Sequence, residues 1–242
     1  MMFCAETLNP VFSIFTEGFL LFCMSVPFWH MMMIQLAARV SVKQIVLVSS
    51  IMLAWTFWAY GSIRYGLDTE IFGDPHAWPL IYLIIASFTV WCFQSRLLGR
   101  GVSQHLLIGL QLFRPIGLIF VFEWSRGTLP GIFAHPAGWG DLIAGMVAAF
   151  VLCRYWRKEI PSSVVILVAV IGFIDFFFAF FFGFTTSQNP AQLFCHEFPN
   201  RVIEYPLGLI PTFLVPYAVI AHILSLAQLR KRTLSKDTCA SI

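Results

Sequence analysis

Residues 104–124 read QHLLIGLQLFRPIGLIFVFEW, an apolar run of helix length with one arginine near its centre. A bilayer core about 30 Å thick is crossed by about 20 apolar residues in a helix rising 1.5 Å per residue. The run is therefore long enough to span, and Arg114 falls near the middle of the hydrocarbon. A guanidinium cannot shed its proton to escape burial, and a charge at that depth costs about 2.5–3.5 kcal/mol on insertion scales. Arg114 needs a carboxylate, backbone carbonyls, water or an anionic ligand. The same segment thus decides the fold class and directs the search for a site.

The rest of the chain has the same character. Of its 242 residues 59% are hydrophobic and 11% charged, against about 25% charged in soluble domains, and the mean hydropathy is +0.81. So few polar groups cannot cover a water-facing surface, which makes this an integral membrane protein. Seven apolar segments lie at about residues 10–36, 44–63, 77–95, 104–124, 137–155, 161–183 and 205–228. Continuous runs without period-two alternation specify helices rather than a barrel. The expected fold is all-α, a seven-transmembrane-helix bundle in one membrane domain over residues 1–236, with a basic cytoplasmic tail at 229–242. Alternate loops and the tail hold eleven Lys and Arg, from Arg39 to Lys236, whereas the opposite set holds Arg64, Arg126 and Arg201. Cytoplasmic loops keep the excess of positive charge, so the N-terminus is expected outside and the C-terminus inside. No basic region precedes the first apolar run, which argues against a cleaved signal peptide. The tail LRKRTLSK (229–236) reads as a topology anchor, or as a contact for anionic lipid heads. No nucleic-acid module is visible, and the lipid bilayer is the one partner that composition demands.

Ionisable groups within the spans are few: Glu17, Arg114, Glu123, Asp141, Asp175 and His222. With the expected topology, Arg114 is central and the four acids lie in the outer half, while His222 lies in the inner half, apart from them. Nine residues at 100° each turn Glu123 to the side of the helix opposite Arg114. Asp141 and Asp175 are the better partners, and Gln111, three residues before Arg114, extends its polar face. The stretch RGTLPGIFAHPAGWGDLIAG (126–145) is too rich in Gly and Pro for a continuous helix, and is expected to form a folded cap that dips into the outer leaflet and delivers Asp141 to the interior. The alternative is a simple turn with Asp141 as N-cap of the next helix. Pro206, Pro211 and Pro216 bend the last helix, on which His222 and Ser225 share a face. Six cysteines (4, 23, 92, 153, 195 and 239) show no metal-binding spacing, and a Cys4–Cys195 disulfide is left open. Cys195, His196 and Glu197 are adjacent, which suits a shared metal poorly; no metal or cofactor site is expected.

The elements QLFR (111–114), GTLPGIF (127–133), GDLIAG (140–145) and IPTFLVPYAVIAHILSLAQL (210–229) resemble an uncharacterised group of bacterial multi-pass membrane proteins. That group carries similar Q-x-x-R, G-x-x-P, D and P-T-F-x-V-P…H-x-x-S elements. The resemblance covers roughly residues 105–230, implies a bacterial inner membrane, and brings no activity. Three functions remain. The first is binding or transport of a small polar or anionic solute, or of protons, in an outward-facing pocket. Its candidate residues are Gln111, Arg114, Asp141, Asp175 and His222, with Glu123, Ser225 and Glu17 further candidates. The second is a membrane-embedded enzyme acting on a lipid or isoprenoid, with Asp141 or Asp175 as acid and His222 as base. The third is a subunit or assembly factor in which the charges form a buried network that fixes helix register.

Overall fold

Inside lipid every backbone N–H and C=O must be satisfied within its own segment or a closed barrel, and the described residues contain helices and no strand. The structure, a computed structural model, describes residues 14–66, 78–97, 102–189, 192–196 and 198–240, without the side chains at 78, 93–97 and 233–240. In chain order the rods are α1 (Ile14–Ala38), α2 (Val42–Tyr65), α3 (Trp78–Leu97), α4 (Gln104–Ser125), α5 (Gly131–Arg154), α6 (Ser162–Thr186) and α7. The last begins with a π turn, Ile210–Leu214, and continues as the α-helix Val215–Ala240. Six of these are long and apolar enough to cross a membrane, and α3 contains a shorter apolar stretch, Pro79–Cys92. The chain is an integral membrane protein. Phe57, Phe88, Phe150 and Phe177 each stand at least 63% exposed, a surface that would drive aggregation in water and is simply solvated by lipid.

Proline shapes two of the rods. In α1 the helix is interrupted at Met24, one turn before Pro27, which has no N–H to return to the carbonyl of Cys23. Residues Leu110–Gly117 of α4 form a 3₁₀ helix around Pro115, relieving the clash that its ring would make with the carbonyl four residues back. At three residues per turn, Gln111, Arg114 and Gly117 fall in line, and all three are buried. The 100° step expected to separate Glu123 from Arg114 therefore does not apply through this stretch.

The folded cap expected within 126–145 is not formed. A turn at Gly127, whose φ of 75° suits glycine, leads to Pro130, and α5 runs unbroken from Gly131 through Pro136. Asp141 is thus neither on an irregular segment nor an N-cap; it lies about 15 Å along the helix. What looked like helix breakers is a packing face. Ala134, Ala137, Gly138, Asp141, Ala144, Gly145 and Ala148 of α5 are buried at helical spacing, and small residues let membrane helices approach closely. A Cβ on Gly138 would meet Val121 Cγ2 at 2.7 Å, and one on Gly145 would lie 2.5 Å from Pro115 Cδ. Because a proline ring cannot rotate away, Gly145→Ala is expected to cost about 1–3 kcal/mol through overpacking, measured by unfolding in mixed detergent micelles.

Two further boundaries differ from expectation. The rod α7 starts at Ile210 rather than 205, leaving Pro206 in the preceding loop, with Pro211 in the π turn and Pro216 in the first turn of the α-helix. The helix continues through the basic residues after 228 to Ala240, as a run of good helix formers permits.

Candidate functional site

Near their midpoints α4, α5, α6 and α7 present Arg114, Asp141, Asp175 and His222. Arg114 is 1% exposed. Its Nε donates to Asp141 Oδ1 at 2.8 Å and its Nη2 donates to Asp175 Oδ2. The guanidinium carbon lies 4.1 Å from the centre of the Phe176 ring, within reach of a cation–π interaction. Gln111 Nε2 donates to the Ala218 carbonyl on α7 at 3.4 Å.

Glycines give these groups their room. A Cβ at Gly117 would overlap the Asp141 carboxyl, 2.7 Å from its Cγ, and one at Gly140 would lie 2.9 Å from Asp175 Cγ. At Gly172 it would press on the His222 ring, 2.7 Å from Cε1, and lie 3.1 Å from Arg114 Nη1. His222 and Arg114 therefore abut the same glycine. His222, expected in the inner half apart from the acids, packs beside Arg114 at this glycine, near the middle of α7.

Hydrogen bonding at the cluster is incomplete. Arg114 Nη1, Asp175 Oδ1, His222 Nε2 and Gln111 Oε1 are buried without a hydrogen-bond partner among the described residues. With both carboxylates ionised, two acids on one guanidinium would carry a net charge of −1. Buried charge is costly unless compensated, so such a charge would favour a proton or a cation.

The acids also face space. A cavity of about 310 Å³ reaches the cluster from the end of the bundle that carries residues 202 and 203. Its walls include Phe120, Phe133, Phe176, Phe180, Phe184 and Ile210, and Asp141 and Asp175 are its charged residues. Arg114 does not line it; the Asp141 side chain is 12% exposed against 1% for Arg114. A second, open groove of about 490 Å³ runs between α5 and α6 past Trp139, Gly140 and Ile143, and Asp175 borders it as well.

Other expected site residues lie elsewhere. Glu123, fully buried, accepts hydrogen bonds from the Thr16 and Thr128 hydroxyls, the latter at 2.9 Å, with Arg126 at 3.6 Å. It ties α1 to the C-terminal end of α4. Glu17 accepts from the Tyr205 hydroxyl at 2.7 Å; burial first, then this bond, pushes that phenol above its ordinary range, so it stays the donor. Ser225 donates to Gln104 Oε1 at 2.6 Å, clamping α7 to the start of α4. His196 bonds the Thr186 carbonyl at 2.6 Å. Cys4 and Glu197 lie outside the described residues, among which no group of three His, Cys, Asp or Glu side chains is placed to hold a metal.

Sequence reasoning missed Phe176 and the glycines at 117, 140 and 172. Gly172 stands three residues before Asp175 and Gly140 immediately before Asp141, a spacing that was the available signal. A family model described as a domain of unknown function (DUF8737) matches residues 77–230, a span that holds all four central residues. No curated protein and no solved structure matches the chain.

Proposed function

Because the chain belongs to the DUF8737 family of unknown function, we propose its role from the chemistry of the site: it binds or transports protons or a small polar solute at the Arg114–Asp141–Asp175 cluster. The observation that carries this reading is that carboxylates, and not the guanidinium, meet the cavity, two acids sharing one arginine. Of the solutes first considered, an anion suits this arrangement least. The segregation of Lys and Arg supports an N-terminus outside and a C-terminus inside, with the cavity facing the non-cytoplasmic side, and the family resemblance implies a bacterial inner membrane.

The test uses purified protein in liposomes loaded with a pH-sensitive dye, with a potassium gradient and valinomycin as driving force. Proton entry above that of empty liposomes is expected, and Asp175→Asn is expected to reduce the excess at least tenfold. Wild-type vesicles indistinguishable from empty ones would remove proton movement from the reading. A second reading, a structural network fixing helix register, is favoured by the close glycine and alanine packing of α4 on α5. It predicts that Asp175→Asn alters stability and no flux.

A further inference from the structure

Most of the cavity has nothing to do with a proton. A proton or a small hydrated ion needs water and polar groups along its path, whereas here five phenylalanine rings and the aliphatic faces of Ile210 and Val215 enclose the space, and charge is confined to one end. Its volume of about 310 Å³ falls at the low end of the range of small-molecule sites, about 300–1,000 Å³. An apolar chamber of that size with convergent acids at its floor is complementary to a molecule of two parts, an apolar body and a cationic head.

The head's position is marked by the two acids. Asp141 and Asp175 share one guanidinium and both line the cavity; Asp175 is 7% exposed, and its Oδ1, set against Gly140, has no hydrogen-bond donor among the described residues. An ammonium would bring three donors and one positive charge to the two carboxylates, and aromatic faces such as that of Phe176 attract cations. A carboxylate head would add a negative charge beside the two acids, and an alcohol would bring no positive one.

We propose that the cavity is a binding site for a hydrophobic amine, its apolar body seated among Phe120, Phe133, Phe180 and Phe184 and its ammonium paired with Asp141 and Asp175. This deepens the reading of the same site by naming its substrate class, and rests on that reading.

The experiment compares three probes of one shape and different charge: 4-phenylbutylamine, 4-phenylbutanol and 4-phenylbutanoate. Binding is measured by calorimetry to the protein in nanodiscs of zwitterionic lipid, with empty nanodiscs subtracted. Saturable binding of the amine is expected, at least tenfold tighter than the alcohol, with none for the carboxylate. Asp175→Asn is expected to weaken amine binding at least tenfold. Ala179→Phe, which fills the cavity without touching a charge, is expected to do the same while its thermal unfolding stays near that of the parent. Equal binding of all three probes, preference for the carboxylate, or amine binding unchanged in both variants would overturn the proposal. Persistent proton flux with no amine binding removes the substrate assignment and leaves the site's reading intact; loss of both removes both.

Discussion

The double substitution Asp141→Asn with Asp175→Asn is expected to destabilise the folded bundle by about 3–5 kcal/mol, the cost of leaving a buried charge without its partner. Arg114 is 1% exposed, and a guanidinium cannot neutralise itself. Either single substitution is expected to cost less than about 1.5 kcal/mol, since the asparagine oxygen still accepts a hydrogen bond and the remaining carboxylate still balances the arginine. The singles therefore should not sum to the double, and non-additivity of that size marks groups sharing one network. Unfolding in mixed micelles, read for the three variants beside the parent, checks this. Additive losses would mean that the two acids act independently of Arg114.

Gly172→Ala is the second large effect. Its methyl would lie 2.7 Å from His222 Cε1 and 3.1 Å from Arg114 Nη1. Neither neighbour can swing away freely: the His222 ring packs against Phe173 at 5.3 Å between centroids, and the guanidinium is held by two carboxylates and the Phe176 face. Overpacking at such a site costs about 1–3 kcal/mol. The displaced guanidinium also loosens its acids, so proton flux is expected to fall with stability. An alanine variant that keeps the parent's flux and unfolding midpoint would show that Gly172 supplies no needed room.

Much of this arrangement is legible from residue chemistry, and the remainder depends on neighbours that a sequence does not display. An arginine in the middle of LLIGLQLFRPIG must be compensated, and few intramembrane acids exist to do it. Asp141 was harder to place. HPAGWG has the composition of a soluble-protein turn, yet in lipid the same glycines and alanines let α5 pack against α4, so the helix starts at Gly131 and carries Asp141 to mid-depth. His222 lies beside Arg114 at Gly172, a neighbour that α6 supplies and that residue spacing along α7 does not display. Glu123 is a partner for hydroxyls and not for Arg114. No angular argument at a fixed 100° step survives the 3₁₀ stretch between them. The rooms cut by Gly140 and Gly172 become visible only once α6 and α7 lie against them.

The most direct test of the central claim, that Arg114 is compensated by Asp141 and Asp175 within the bundle, is the unfolding free energy of the triple variant Arg114→Met, Asp141→Asn, Asp175→Asn beside that of Arg114→Met alone. Arg114→Met leaves two acids together without their cation and is expected to lose about 3–5 kcal/mol, whereas replacing a whole buried network with neutral groups is often close to neutral. The triple variant is predicted to recover most of that loss. A triple variant as unstable as Arg114→Met would contradict the account.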